Sequence, residues 1–231
     1  MSAEATLHTP AGLLVDLAPP RLRFDHATEF MTPLIRVAPG ARAAEPGCGS
    51  GMLALYMAKA GAGSVVGTDV DPAALAAARE NAARNSSANV QFVEGSLLEP
   101  VAGALDLVVA NLPHRPAPRP FDARYYGGYD GTDLLRAAIA QARERLVRGG
   151  RLYLYVNSIA NPGRVRAALG EAFDVRMCGE KRRYYTEEEF DALTPGLYAH
   201  VTALGREGIA EVHEDARGTF FFGRVYEGVL R

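Results

Sequence analysis

Glu45-Pro46-Gly47-Cys48-Gly49-Ser50-Gly51 places three glycines at alternate positions directly after the short apolar segment Ala41 to Ala44. Glycine has no Cβ, so it reaches positive φ cheaply and lets another molecule approach the backbone closely. Three glycines at this spacing predict a tight turn with exposed N–H groups. Met52 to Ala60 is rich in Ala, Leu and Met, good helix formers, and a helix there would point its N-terminus at whatever lies over the turn. Gly61-Ala62-Gly63 ends it. Ser64-Val65-Val66-Gly67-Thr68 then reads as a buried parallel strand, closed by Asp69.

Strand, glycine turn, helix, strand and acid in that order suit a nucleotide-binding βαβ unit. In such units an acidic residue about 20 positions after the turn takes the ribose hydroxyls. The loop admits three uses. It can be a purely structural turn. It can hold a dinucleotide, because Gly49, Gly51 and Ala54 satisfy the alanine variant of G-x-G-x-x-G, although counting from Gly47 places Met52 at the third glycine. It can also form the floor for an adenosine-containing cofactor with an amino group. Glu45 would attract that group, whereas a pyrophosphate would be repelled by the same carboxylate.

Working outward, helices and strands alternate. Asp71 is a candidate N-cap ahead of Pro72, and Ala73 to Arg84 continues as a helix that Asn85-Ser86-Ser87 ends. Val90 to Val93 and Leu105 to Ala110 read as strands, Thr132 to Val147 as a helix stopped by Gly149-Gly150, and Arg151 to Val156 as a strand. Asn161-Pro162-Gly163 opens a helix to Leu169, and Phe173 to Cys178 is a strand. Thr186-Glu187-Glu188-Glu189 is a capping box for a short helix to Leu193, and the tail from Leu197 to Leu230 is read as β-rich, notably Thr219 to Tyr226. The alternation predicts an α/β fold: a doubly wound, mostly parallel sheet with a β-rich C-terminal segment. Residues 1–38 are expected to be an N-terminal extension that helps cover the substrate, and residues 39–231 the catalytic domain. Ligands of such sheets bind past the carboxyl ends of the strands, where the glycine loop, Asp69, Ser96 and Asn111 all fall.

The composition fits one enzyme domain. The chain has 231 residues, 48% of them hydrophobic and 23% charged, near the usual globular values. A formal net charge of −2 does not favour extended nucleic-acid binding, which calls for basic surfaces. The two cysteines, Cys48 and Cys178, do not make a disulfide scaffold, and reduced thiols point to the cytoplasm. The five histidines are scattered, with no metal-ligand spacing. No targeting segment is read: Asp16 interrupts the apolar run Gly12 to Ala18 and no basic residue precedes it. No uncharged apolar run reaches the ~18 residues of a membrane helix.

Glu45-x-Gly47-x-Gly49-x-Gly51 resembles the first motif of the class I S-adenosylmethionine methyltransferases. The resemblance implies that the loop backbone, Gly47, Cys48, Gly49 and Gly51, carries the methionine part of S-adenosyl-L-methionine, with S-adenosyl-L-homocysteine as product. It places Glu45 near the amino group, Asp69 on the ribose and Val70 against the adenine. Gln91-Phe92-Val93-Glu94-Gly95-Ser96 resembles the third motif, with Ser96 where the family often has Asp. Ser96 can give or take one hydrogen bond with the adenine.

Asn111-Leu112-Pro113-His114 resembles the fourth motif of amino-group methyltransferases, usually Asn-Pro-Pro followed by Tyr or Phe. A planar amide or aromatic amino nitrogen is a poor nucleophile because its lone pair is delocalised. An Asn side-chain oxygen and a backbone carbonyl can accept both its N–H groups and orient it toward the methyl, which is positioning and electrostatics. Proline's fixed φ stiffens the carbonyl edge. His114, in the aromatic's place, could stack as an imidazole or accept a proton. The following loop carries Arg115, Arg119 and Arg124, which could recognise a carboxylate or phosphate, and Tyr125-Tyr126. The loop is expected to cover the acceptor site.

Gly127-Gly128-Tyr129-Asp130-Gly131-Thr132-Asp133-Leu134-Leu135-Arg136 is similar to a segment of the glutamine methyltransferases that act on peptide-chain release factors, and Thr28-Glu29 resembles their Thr-Glu pair. Those bacterial enzymes carry an N-terminal helical domain, and no counterpart of it is expected from the about two dozen residues that precede the similar region here. Together these features imply an N-methyltransferase for a small molecule or peptide, with a release-factor-type glutamine enzyme, a nucleic-acid amino methyltransferase and a dinucleotide oxidoreductase as alternatives. Lys181-Arg182-Arg183, followed by Tyr184-Tyr185, could meet an acidic or nucleic-acid partner, but reads first as a charged strand edge that resists aggregation.

Overall fold

In a computed structural model of the protein, residues 26–231 are described in full, together with the backbone of 6–8 and 14–16. Those two short segments are β1 (Thr6–His8) and β2 (Leu14–Asp16), paired antiparallel. Residues 1–5, 9–13 and 17–25 of the expected N-terminal extension, and with them both ends of the Gly12 to Ala18 run, lie outside the described residues.

From there the order is α1 (His26–Met31), a 3-10 turn Thr32–Leu34, β3 (Arg42–Pro46), α2 (Met52–Lys59), β4 (Ser64–Asp69), α3 (Pro72–Arg84), β5 (Val90–Glu94) and β6 (Leu105–Ala110). Then follow α4 (Asp133–Arg145), β7 (Leu146–Asn157), α5 (Pro162–Gly170), β8 (Phe173–Tyr184), α6 (Glu187–Asp191), α7 (Leu197–Arg206), β9 (His213–Asp215) and β10 (Gly218–Leu230). Eight strands form one sheet in the order β5-β4-β3-β6-β7-β10-β8, with β9 on β10. This is the doubly wound sheet that the alternation predicts.

The chain divides into two compact units. One comprises the residues up to Asn111 with Gln141–Tyr153 and Leu230; the other comprises Leu112–Ala140, Leu154–Val229 and Arg231. In the first, β3 is parallel to both neighbours, with Ala43 opposite Val65 of β4 and Leu107 of β6. The strand order reverses there, which is where sheets of this kind bind ligands. Strands covered on both faces need near-continuous apolar runs; Ala43, Ala44, Leu107, Val108, Val109 and Ala110 supply them and are buried. Asp106, the polar residue in β6, is accounted for by the Arg42 N–H that it accepts at 2.8 Å. Asp71 caps α3 by accepting from Ala73 N at 2.9 Å, with Pro72 at the first position.

In the second unit, Asn161 caps α5 through Arg164 N. Thr186 and Glu189 form both bonds of the capping box ahead of α6. An aromatic and aliphatic cluster built on Tyr185, Phe190, Leu197, Val201, Leu204 and Phe221 forms its core.

Three element boundaries differ from expectation. The tail is not purely β-rich, because Leu197–Arg206 is the helix α7. Its buried Leu197, Val201 and Leu204 stand at helical spacing, so a common apolar face outweighs the β-branched residues. The strand expected to end at Cys178 runs to Tyr184. Its alternate charged side chains find opposite charges: Arg176 with Glu227, Glu180 with Arg224 and Arg182 with Asp215. Helix α4 stops at Arg145, and β7 starts at Leu146 where Arg151 was expected. Arg143 and Arg145 occupy the last turn of α4, where cations suit the helix end.

Candidate active site

The glycine turn follows β3. Gly47, Gly49 and Gly51 have φ of 66°, 50° and 77°, the left-handed region that disfavours other residues. Gly51 is required twice over. It is the N-cap of α2, and a Cβ there would stand 2.6 Å from the Phe92 ring. A Cβ on Gly49 would meet nothing within 4 Å, so the outer side of the turn is open.

The turn is held from several sides. Cys48 N–H donates to the Thr68 carbonyl at 2.8 Å, and Asn81 Nδ2 donates to the Ser50 carbonyl at 2.9 Å. Asp69, at the end of β4, accepts from Gly49 N at 2.8 Å through Oδ2 and from Asp71 N at 3.0 Å through Oδ1. One carboxylate thereby ties the glycine turn to the entry of α3. Each of its oxygens keeps a further lone pair for another donor. Val70, next in the chain, is 68% exposed, a large apolar side chain left in solvent.

Glu45 is 4% exposed and accepts from Ala54 N at 2.6 Å, in the first turn of α2. Burial pushes its carboxyl well above the usual range; the Ala54 bond works against this, and the Asp69 charge adds to it. An ionised Glu45 therefore wants a cation nearby. Burial also raises the Cys48 thiol, with Glu45 and Asp69 acting in the same direction. Cys48 contributes backbone and packing, not a thiolate. Neither Cys48 nor Cys178 is part of a disulfide.

Ser96, half-buried, lies in the turn after β5. That turn is anchored on β4, since Gly95 N donates to the Asp69 carbonyl at 3.0 Å and Thr68 Oγ1 donates to Leu97 O at 2.5 Å. Asn111 follows the end of β6, and its Nδ2 donates to Thr28 Oγ1 at 3.1 Å. That bond fixes the amide plane and turns Oδ1 to the opposite edge. The chain thus brings together in one unit Glu45, the glycine turn, Asp69, Val70, Ser96 and Asn111. The contact of Thr28 with Asn111 was not anticipated; the only signal for Thr28 was the Thr28-Glu29 pair.

The rest of the fourth motif belongs to the second unit. Leu112 is buried and Pro113 half-buried. His114 is 5% exposed, with Nδ1 2.5 Å from the Leu112 carbonyl and Nε2 accepting from Asn157 N at 3.0 Å. A backbone N–H can only donate, so Nε2 carries no proton and Nδ1 must. The ring stands edge-on to Tyr155 at 5.7 Å. Both nitrogens are thus engaged by backbone within the interior, which suits a structural strap and not the stacking face or proton acceptor anticipated from its position.

Beyond it, Arg115 N donates to Tyr125 O at 2.7 Å and Gly127 N to Arg115 O at 3.0 Å, which closes the proline-rich loop. The Arg115 guanidinium lies 5.6 Å from the Tyr125 ring and 5.3 Å from that of Phe190. Tyr126 packs edge-on to Phe121. Arg124 is bonded to the Asp122 carboxylate, which it holds below the usual range, and Arg119 is exposed. Asp130 accepts from Thr132 Oγ1, Asn161 Nδ2 and Arg164 Nη1 at 2.7, 2.9 and 2.9 Å. Burial alone would raise its carboxyl, but these bonds together hold it below the usual value. The Gly127 to Arg136 segment therefore has a structural task in joining the start of α4 to that of α5.

Among the described residues, no cluster of three or more His, Cys, Asp or Glu could hold a metal ion, and no helix is long and apolar enough to cross a membrane.

The chain is 42% identical over 124 residues to a release factor glutamine methyltransferase of Deinococcus radiodurans, covering 49% of this chain and 44% of that one. It is 52% identical over 77 residues to a ribosomal protein L11 methyltransferase of Pelotomaculum thermopropionicum, covering 33% and 25%. It spans less than half the length of either relative. A solved L11 methylase from Lactobacillus delbrueckii subsp. bulgaricus superposes with a TM-score of 0.54 at 22% identity, over 87% of this chain and 76% of that one, and so shares the fold. Residues 20–186, well over half of the sequence, match the profile described as the methyltransferase small domain, and the chain belongs to that family.

Proposed function

We propose that the protein is an S-adenosylmethionine-dependent methyltransferase that methylates a nitrogen of a small molecule or peptide by direct in-line transfer. The observation that carries this reading is the gathering of a buried Glu45, a turn with an open outer side, Asp69 and Asn111 at the carboxyl ends of β3, β4 and β6.

The residues fit the donor. The turn from Gly47 to Gly51 has room for a chain laid against its backbone, and the buried Glu45 carboxylate suits an amino group. Asp69 retains lone pairs for ribose hydroxyls, and the exposed Val70 gains burial against an adenine ring, with Ser96 able to bond its edge. When bound, the cofactor supplies a methyl group on a sulfonium sulfur. Asn111 Oδ1 accepts an N–H of the acceptor and aims its lone pair along the breaking bond. The Leu112 carbonyl, already held by His114, has a second lone pair for another N–H, and Pro113 stiffens that edge. Positioning of this kind is worth several orders of magnitude in rate. The net charge of −2 supports a compact acceptor over an extended nucleic acid, and the unbridged cysteines fit a reducing cytoplasm.

A second reading, a protein glutamine N5-methyltransferase, is favoured by the 42% identity to the Deinococcus relative. Calorimetry with S-adenosylhomocysteine against NAD tests the donor: tight binding of the former alone is expected, and binding of NAD alone would end the proposal. Transfer of a labelled methyl group to glutamine-containing peptides, compared with free amines and amides, separates the two acceptor classes.

A further inference from the structure

Strand β8 ends the sheet, and among the described residues no strand pairs with its outer edge. An unpaired edge is a template for another strand. At twelve residues this one is long. Its even-numbered side chains are charged in sequence: Asp174, Arg176, then Glu180 and Arg182, around Cys178. On the odd face Val175 and Met177 are exposed at 39% and 50%.

We propose that β8 pairs antiparallel with β8 of a second copy of this chain, with the two-fold axis at Cys178. A two-fold axis normal to a sheet leaves each side chain on its own face. The strands alternate faces, so the axis must pass through a residue and not between two. That leaves few registers that pair at least about seven residues of each strand, and charge selects among them. With the axis at Arg176, Glu180 or Lys181, like charges meet on the axis itself. At Met177, Asp174 opposes Glu180. At Gly179, Arg176 opposes Arg182. At Cys178, Asp174 opposes Arg182 and Arg176 opposes Glu180, and symmetry makes each pair twice. Opposite charges directly across a ladder stabilise it and like charges oppose it.

The odd face agrees with the same register. Met177 comes opposite Gly179, where a long side chain has room. Val175 comes opposite Lys181, whose methylene stem can cover it while the ammonium reaches water. Each copy also keeps its internal pairs with the neighbouring strands, Arg176 with Glu227 and Glu180 with Arg224. The charges then form a ladder that continues across the axis. Because the contact is the same patch on both copies, it closes at two and does not propagate. The basic run Lys181-Arg182-Arg183 thus rejects other registers and other strands while Asp174 admits this one.

The test uses the full chain. Light scattering on a sizing column is expected to give a dimer for the wild type. A short bismaleimide is expected to link two chains through Cys178, and Cys178→Ser to abolish the link; Cys48 is buried at 4% exposure and stays unreacted. Asp174→Arg sets two guanidinium groups against each other across the ladder, and Arg182→Asp sets two carboxylates. Each alone is expected to weaken the dimer on the order of tenfold or more. Mixed in equal amounts, the two variants restore opposite charges at both crossings: one chain carries the cation at both positions and the other the carboxylate. A heterodimer is therefore expected to reappear. Recovery on mixing also shows that both variants are folded. A wild-type chain that stays monomeric at concentrations on the order of 100 μM, a dimer indifferent to both substitutions, or failure of the mixture to recover would each overturn the proposal.

Discussion

Glu45 is a buried carboxyl raised well above the usual range, and its behaviour with pH is testable without an acceptor. Its folded-state pKa is raised by burial. Its contribution to stability is therefore present below the ordinary carboxylate pKa and lost as pH rises through the raised value. Thermal melts between pH 5 and 8 should show the unliganded wild type losing stability with rising pH relative to Glu45→Gln, which has no charge to bury. A bound ammonium reverses the balance by compensating the charge, so S-adenosylhomocysteine should raise the melting temperature of the wild type more than that of Glu45→Gln. At the acceptor end, Asn111→Ala is expected to lower kcat about 100-fold while the Kd for S-adenosylhomocysteine stays within about threefold. Unchanged turnover would remove Asn111 from the mechanism. His114→Phe keeps bulk but leaves the Asn157 N–H without its acceptor. A loss of about 1–3 kcal/mol in denaturant unfolding is expected, as for an unsatisfied buried donor.

At the scale of elements, local chemistry was legible and tertiary choices were not. Asp71, Asn161 and Thr186 announce their helices because a capping side chain bonds an amide only two or three residues away. Thr186→Ala is accordingly expected to cost about 1 kcal/mol, read from the denaturation midpoint. The glycine turn was legible for the same reason, its φ values being a property of the segment itself. What the local pattern could not supply was long-range. The wedging of the Phe92 ring against Gly51 and Gly67 joins residues far apart in sequence. Strand β8 continues past Cys178 because partners on other strands neutralise its charges, whereas α7 did carry a local signal in the spacing of Leu197, Val201 and Leu204. The positions of Glu45, Asp69 and Asn111 at the carboxyl ends of their strands were readable from spacing. The contact of Asn111 with Thr28 and the engagement of both His114 nitrogens were not, because each joins segments that the chain separates widely.

For the whole molecule, the sequence order of elements decided the topology. Parallel strands joined by helices and a reversal of order beside β3 place the turn, Asp69 and Asn111 at one end of one sheet. Helix α4 and strand β7 each contribute residues to both compact units. Unfolding should be a single transition, with far-UV and tyrosine near-UV circular dichroism coinciding; the chain has no tryptophan to complicate the latter. Separate transitions would mean that the units melt independently. The single tautomer of His114 has a use of its own. Its two nitrogens are chemically inequivalent by construction, one protonated toward Leu112 and one bare toward Asn157. The nitrogen-15 resonances of one imidazole therefore gauge the residues just after Asn111, and an acceptor that draws on the Leu112 carbonyl would register in them without any label of its own.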